Sequence, residues 1–479
     1  MIRSILPTLT ALLALGACKV GPNYRSPETT APANWTGGQG TSNSAEALRL
    51  WWQGFHDPVL SHLIQQAIDG NYDLRIAGQR IRAAQDAVRV AAAADLPQIG
   101  IGEALESRRQ TQTIDFPAPS PKFGVYPYYQ LGFNASWELD LFGETQRRRE
   151  SARAAVAAAI ETRRGLLVSL TAAIASDYAG FRAAEARLQI ARQSLDIARQ
   201  SQKLAHRAFE AGEQSHLDVS QADARVHEVE ASIPPLQAQS ETLLHALAIL
   251  LGRNPEEFSR ADLEGDPAIP VAPPLPASLP SEVIARRPDI RRAEREYAQS
   301  NANVGVAVAG LYPHFSIPLS VGPTTSSIRE TFQHASLLWR VGLDGTQSLY
   351  TGGKLSAQVD AARAGKSAVL LSYRQTVLKA FAEVEDALSN QAAEQARYQS
   401  VDAQVAANRQ AVDEAQQRYR NGEVSFLPVL DTERQFYAAQ NAQVGSTLTR
   451  CLASIDLYKA LGGGWEGIEL SDVAADDSR

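Results

Sequence analysis

The chain has 479 residues, 44% of them hydrophobic, and a formal net charge of −7 at pH 7. That length allows two or three ordinary domains, and the charge gives no reason to expect nucleic acid as a partner. Long stretches rich in Ala, Leu, Arg, Gln and Glu have helix-forming composition.

Arg3 precedes an apolar run from Ile5 to Leu15, too short to span a bilayer in the usual way but of signal-peptide length. The run ends in "LGAC", Leu15 to Cys18. Small residues before a cysteine resemble the cleavage and lipidation box of bacterial lipoproteins. The resemblance implies a signal peptide over 1–17 and Cys18 as the first mature residue, carrying acyl chains. Each buried methylene of such a chain contributes about 0.8 kcal/mol to membrane binding. Lys19, not Asp, follows the cysteine, which by the sorting rule of Gram-negative lipoproteins implies the outer membrane. Residues 18–50 are polar and read as extended. Cys451, the only other cysteine, sits in a helical pattern and reads as a small buried apolar residue. No run of 18 or more apolar residues follows Cys18. A membrane crossing would therefore need strands in a closed barrel, because lipid cannot satisfy open backbone groups.

The mature chain is a repeat. "FEAGEQSHLDV" (Phe209 to Val219) returns as "YRNGEVSFLPV" (Tyr419 to Val429), 210 residues on. The same offset links Gly143 to Gly353, Gly212 to Gly422, Leu217 to Leu427 and Leu251-Gly252 to Leu461-Gly462. One register over so many positions indicates a duplicated unit. From Glu144 to Ala211 there is no proline, and Leu167, Leu170, Ile174, Tyr178 and Phe181 recur at three- and four-residue steps. Leu370, Tyr373, Val377, Phe381, Val384 and Leu388 do the same in the second unit. A helix this long, on the order of 100 Å at 1.5 Å per residue, has to coil against neighbours. Gly212 and Gly422 stop these helices with left-handed caps, and Ser215 and Ser425 open the returning ones. "RRRE" at Arg147 to Glu150, near a helix start, reads as a solvated face.

Before each hairpin lie candidate strands. They are "QIGIGEALES" and "YYQLGFNASWELDLFG" in the first unit, "HFSIPLSVG" and "LLWRVGLDGTQSLYTGG" in the second. They alternate imperfectly and carry aromatics, as membrane strands do. "FPAPSPKFGVYP" and "GPTTSSIRETF" read as the outward loops between them. Four strands cannot close a barrel, since bacterial barrels begin at about eight. Either these are soluble hairpins, or several chains pool their strands. The organisation is a first repeat over 51–252, a proline-rich linker over 253–280, a second repeat over 281–463 and an acidic tail over 464–479.

The chain resembles the outer membrane factor family, the TolC-like exit ducts of Gram-negative efflux pumps, in its lipoprotein branch. "CKVGPNYRSP" is similar to the branch's mature start. "WWQGFHDPVLSHLIQQAIDGNYDLRIAGQRI" resembles its first block, through Trp51, Trp52, Asp57, Pro58, Asn71 and Leu74. "RRPDIRRAEREYAQSNANVGVAVAGLYP" resembles its second, through Arg287, Pro288, Asp289, Ile290, Glu294, Asn301 and Pro313. The implied fold is mainly α with a transmembrane β portion. Duplicated helical hairpins would form a periplasmic α-barrel, and four strands per chain would join a homotrimeric twelve-stranded barrel. The implied function is passive export of small toxic molecules as the outer membrane channel of a tripartite pump. Its partners would be a periplasmic membrane fusion (adaptor) protein, an inner-membrane pump of the resistance-nodulation-division class, and outer membrane lipid. The alternatives are a non-conducting coiled-coil scaffold, or a similar duct for metal ions or secreted protein.

The resemblance also assigns the tips. Leu427 would form an apolar ring and Asp431 an acidic ring closing the periplasmic end. Arg434, one helical turn on, would be in reach of Asp431 or of a neighbouring chain. Gly212, Glu213, Gly422 and Glu423 would meet the adaptor. No catalytic or metal-binding motif is expected. "AGKS" (Ala364 to Ser367) has Asp360 where a phosphate loop needs its first glycine, and the histidines form no metal-ligand spacing. No cofactor is expected beyond the lipid on Cys18.

Overall fold

The computed structural model describes residues 19–36, 48–109, 125–212, 215–271, 280–333 and 336–468. Cys18, Glu213 and residues 469–479 lie outside the described residues. The chain runs α1 (Pro58–Gly70), α2 (Tyr72–Ala93), β1 (Gln98–Arg109), β2 (Val125–Leu139), α3 (Glu144–Glu210) and α4 (His216–Leu251). It continues α5 (Pro280–Arg286), α6 (Pro288–Ala309), β3 (His314–Thr325), β4 (Leu337–Val341), β5 (Asp344–Thr346), α7 (Lys354–Arg420) and α8 (Phe426–Ala460). The helices α3 and α7 have 67 residues each and begin and end 210 residues apart. The pairs α2/α6 and β1/β3, matched in length, are offset by 216 instead. The first repeat thus places six more residues between its first strand and its long helix, where loops absorb insertions.

Two compact units divide the chain. The first takes residues 1–27, 81–158 and 293–373. Its antiparallel sheet has the order β1-β2-β3-β4, with β5 also on β3. Leu319 faces Val341 and Ser316 faces Asp344, one continuous register. The Gly342 N–H donates to the Pro318 carbonyl at 3.1 Å between them. The segments β4 and β5 are thus one broken strand, and the sheet has four strand positions. Val125 to Pro127 and Gly322 to Thr325, expected as loop, are strand because they pair across the ladder. A Cβ on Gly322 would lie 2.1 Å from the Leu131 carbonyl oxygen, so no larger residue fits that crossing.

Arg147 corrects the expectation of a solvated face. Its side chain is 1% exposed. Nε donates to the Val20 carbonyl at 3.0 Å, and Nη2 to Gly21 O at 3.0 Å and Asn23 Oδ1 at 3.1 Å. Nη1 pairs with Glu150 at 2.9 Å, and Lys19 pairs with the same carboxylate. The neighbouring Arg148 is exposed, as expected of that run. The segment after Cys18 is further held by Asn301 Nδ2 on the Pro22 carbonyl (3.0 Å) and by Tyr24 on Glu294 (2.7 Å). A buried guanidinium is tolerated here because oxygens of the strap satisfy it.

The second unit takes 28–80, 159–292 and 374–479. Its core gathers Trp51, Trp52, Leu60, Leu63, Ile64, Tyr178, Leu247 and Tyr458. Trp51 stacks on Tyr458 with centroids 4.9 Å apart. Asp57 caps α1 through the Val59 and Leu60 N–H groups, and its second oxygen accepts from Tyr178 at 2.8 Å. Arg182 donates to the Tyr178 hydroxyl and to the Leu263 carbonyl. Leu263, Phe258 and Ile269 are core residues, so the stretch read as a linker also packs. Arg287 joins Asp289, Glu383 (2.6 Å) and the Ala460 carbonyl (2.8 Å). Cys451 is buried as expected, and burial pushes its thiol up to about 12. Within the stretch read as an acidic tail, Trp465 lies between Arg164 and Arg291, 4.6 and 5.3 Å from its ring centroid.

Arg147→Met should release the strap. Losing several hydrogen bonds to a charged group costs about 2–3 kcal/mol locally, so trypsin should cut at Arg25 roughly tenfold faster or more than in the wild type. Equal cleavage rates, read by mass spectrometry under native conditions, would remove the clamp from the account.

Candidate functional site

The strand register sorts the sheet into two faces. Every cross-strand pair joins odd to odd or even to even residue numbers, through all four strand positions. One row runs Ile101–Phe133–Val321–Trp339. The odd face also holds Ile99, Leu105, Leu131, Trp137, Leu319, Leu337 and Val341, and these side chains are exposed. The even face holds Gln98, Glu106, Gln130, Asn134, Ser136, Glu138, Ser316, Ser320, Thr324 and Arg340. In sequence the alternation reads as imperfect, because Glu103, Ser107 and Arg109 fall on the odd face and Leu338 on the even one. A sheet largely apolar on one side, Glu103 excepted, and largely polar on the other has the pattern of a membrane barrel wall. Among the described residues, no helix is long and apolar enough to cross a membrane.

The hairpin tips repeat in three dimensions. Gly212 and Gly422 both have φ of +75°, the left-handed cap expected of them. Phe209 meets His216 edge-on at 5.6 Å, and Tyr419 meets Phe426 likewise at 5.4 Å. The Ser215 N–H donates to Asp218 at 3.3 Å, whereas Ser425 makes no side-chain cap bond. Glu423 is exposed and accepts from Asn421 at 3.0 Å. The tips of both hairpins share one apolar cluster of Ala205, Ala222, Tyr419, Phe426, Val429 and Leu430.

The sequence-predicted gate residues lie on the opposite stripe of α8. Leu427 is 50% exposed, and Asp431, one turn on, is exposed too. Arg434 does not join Asp431. It reaches across hairpins to Glu228 on α4, at 3.0 Å. Helix packing decides this: Arg434 faces the sister hairpin, where an acid stands. Glu228 also pairs with Arg225 at 3.1 Å, and Arg225 is buried with Nε and Nη2 unpartnered among the described residues. Burial alone would raise the Glu228 carboxyl. The hydrogen bonds from Arg434 and Arg225 outweigh it and hold the group below its ordinary 4.5.

Sequence reasoning missed Arg225, Glu228 and Glu433. Glu433 is buried and accepts from Ser201 at 2.7 Å and Gln416 at 3.1 Å. A signal existed for two of them. Phe426, Val429, Leu430 and Glu433 make one i, i+3, i+4, i+7 stripe, and Arg225 falls between Ala222 and Val226 on another. A charge inside an apolar stripe marks a buried polar joint.

Fold and sheet together define a subunit of an outer-membrane channel. Residues 63–253 and 279–463 match the outer membrane efflux protein family. The chain is 31% identical over 474 residues to the probable efflux pump outer membrane protein TtgC of Pseudomonas putida, covering 97% of this chain and 96% of the relative. The pyoverdine export outer membrane protein OpmQ of Pseudomonas aeruginosa is 30% identical over 470 residues, covering 96% and 97%. The solved outer-membrane channel OprN superposes with a TM-score of 0.83 at 36% identity, over 94% of this chain and 100% of that one. The chain belongs to the outer membrane efflux protein family. Its function is that of an efflux pump's outer-membrane channel, and its place is the outer membrane.

Removing Glu228 should cost more than removing Arg434. Glu228→Ala leaves Arg225 buried and uncompensated, about 3 kcal/mol, whereas Arg434→Ala breaks a half-exposed pair worth about 1 kcal/mol or less. Hydrogen exchange of residues 426–436 should therefore speed up on the order of 100-fold in the first variant and about fivefold in the second. The reverse order would refute the assignment of Glu228 as the shared acid.

Proposed function

We propose that three copies of this chain close a twelve-stranded barrel in the outer membrane, and that the helical hairpins gate the periplasmic end of one shared duct. The observation that carries this reading is the two-faced four-strand sheet, whose edges on β1 and β4 are open among the described residues. An edge in lipid has unpaired backbone groups, each costing several kcal/mol, so sister strands are the economical partners. The chain serves as the exit duct of a tripartite pump, with a periplasmic adaptor at the Gly212-Glu213 and Gly422-Glu423 tips. A resistance-nodulation-division pump in the inner membrane supplies the energy, and small toxic molecules are the cargo. TtgC and OpmQ, an efflux and an export protein by name, support export as the task.

The lipid anchor on Cys18 belongs to the same reading. The Val20 N–H donates to the Phe142 carbonyl at 3.2 Å, and Arg147 clamps the strap beside it. Residue 19 is thereby tied three residues past the end of β2, where the strands leave the bilayer. Acyl chains starting there enter the adjacent leaflet without stretching the strap. Labelled palmitate should enter the wild type and not Cys18→Ser, and label in both would overturn this part.

At the gate, threefold symmetry gathers three Leu427 side chains and three Asp431 carboxylates, with the Arg434–Glu228 pair holding the second hairpin against the first. Leu427→Ala and Asp431→Ala should each raise single-channel conductance in planar bilayers; unchanged conductance in both retires the gate. Because Glu228 titrates low when folded, its stabilising contribution is whole above pH 4.5 and is lost as pH falls through the lower folded value. Closed-state conductance should be flat from about pH 7 to 5 and rise only in more acid solution. A rise already at neutral pH would remove Glu228 from the lock. Deleting the gene should sensitise cells to antibiotics, dyes or solvents, and unchanged susceptibility to all of them would sink the drug-efflux reading.

A further inference from the structure

One feature of the sheet is not needed for a channel wall. Near the loop end, the odd-numbered face carries a groove of about 690 Å³, lined by Ile101, Leu131, Phe133, Val321 and Leu337 together with Thr331 and Phe332 of the β3–β4 loop. Its size is that of a small-ligand pocket, usually about 300–1,000 Å³. The loop is built to hold this position. Ile328–Glu330 form a 3-10 turn, the Ser327 N–H donates to Thr325 Oγ1 at 3.1 Å, and Ser336 Oγ donates to the Glu330 carbonyl at 2.7 Å. Phe332, 88% exposed, stands at the rim instead of packing. The Thr331 hydroxyl, also on the lining, is buried and has no hydrogen-bond partner among the described residues.

We propose that this groove is a binding site for one acyl chain of an outer-leaflet lipid, with the Thr331 hydroxyl donating to that lipid's carbonyl. This rests on the reading of the odd face as the lipid face. Three observations select the occupant. The groove is continuous with the apolar surface that meets the bilayer, so an acyl chain reaches it without crossing water. It crosses all four strands on their side-chain face, whereas sister subunits would pair through the backbone edges. It also combines an apolar trough with one unsatisfied donor, and a lipid offers methylenes next to a carbonyl acceptor. The loop end is the far end from the helices, since α2 and α6 lead directly into β1 and β3. With the helices periplasmic, the groove opens to the outer leaflet. An ordinary boundary lipid exchanges freely; a chain under Phe332 is retained when the surrounding lipid is stripped.

The test uses the full-length channel extracted from its own membrane into mild detergent, with bound lipid counted by native mass spectrometry. Wild type should retain about one lipid per chain, and Phe332→Ser and the groove-filling Ile101→Trp should each retain about a third of that or less. Leu105→Ser, on the same face but outside the groove, should match the wild type. Equal retention in wild type and both groove variants overturns the proposal, as does equal loss in Leu105→Ser. A wild-type channel without lipid overturns it too, and leaves a neighbouring loop as the occupant. The share of tryptophan fluorescence that brominated lipid quenches in vesicles and that Trp339→Phe removes reports separately on the face itself. Quenching without retention defeats the groove and leaves the barrel reading intact; no quenching defeats the face.

Discussion

The hydrocarbon of a bilayer supplies no hydrogen-bond partner, yet the apolar face of this sheet is suited to it. Every other feature answers to that conflict. The ladder satisfies the interior strands, with Phe133 held between Ile101 and Val321, but β1 and β4 each keep one bare backbone row among the described residues. A helix would have satisfied its own groups. Among the described residues no helix is long and apolar enough to cross a membrane, and the sheet of a single copy keeps two unpaired edges there.

The residues that most resemble the family turn out to be joints, not transport chemistry. Asp57 caps α1 and takes the Tyr178 hydroxyl. Asn71 accepts from the Leu74 N–H while donating to the Leu250 carbonyl. Arg287 ties α5–α6 to Glu383 and to the end of α8, and Asn301 holds the strap at Pro22. Each satisfies buried backbone or charge at a place where two segments distant in sequence meet. Such positions tolerate little change, because removing one partner strands the other. A duct works by its shape, and these joints maintain that shape.

The hairpin tips show the opposite economy. Their shared apolar cluster is small, and two polar contacts join the hairpins beside it: Arg434 with Glu228 and Ser201 with Glu433. The Arg434–Glu228 pair is half-exposed, and such pairs are weak individually and exchange easily. A dry apolar seam would have locked the hairpins permanently. The chain thus packs its core around Trp51 and Tyr458 and leaves its tips on a small cluster and a half-exposed ion pair.

Much was legible in the sequence because repetition and helical period are local. The 210-residue offset, the long proline-free helices, the glycine caps at Gly212 and Gly422, and the burial of Cys451 all follow from spacing and residue type. The number of strand positions was legible too, and the single candidate strand read around Gly342 is what β4 and β5 form together. What the sequence could not decide is who meets whom. Arg147 looked like one of three surface arginines, and only the strap passing over it makes it a buried clamp. Arg434 seemed within a turn of Asp431, and only the packing of α8 against α4 turns it to Glu228. The two faces of the sheet likewise needed the cross-strand register, which brings odd residues together across four separate segments. Spacing along one chain determines its elements. Pairing between elements depends on which surfaces come together, and that is settled only when the whole chain is folded.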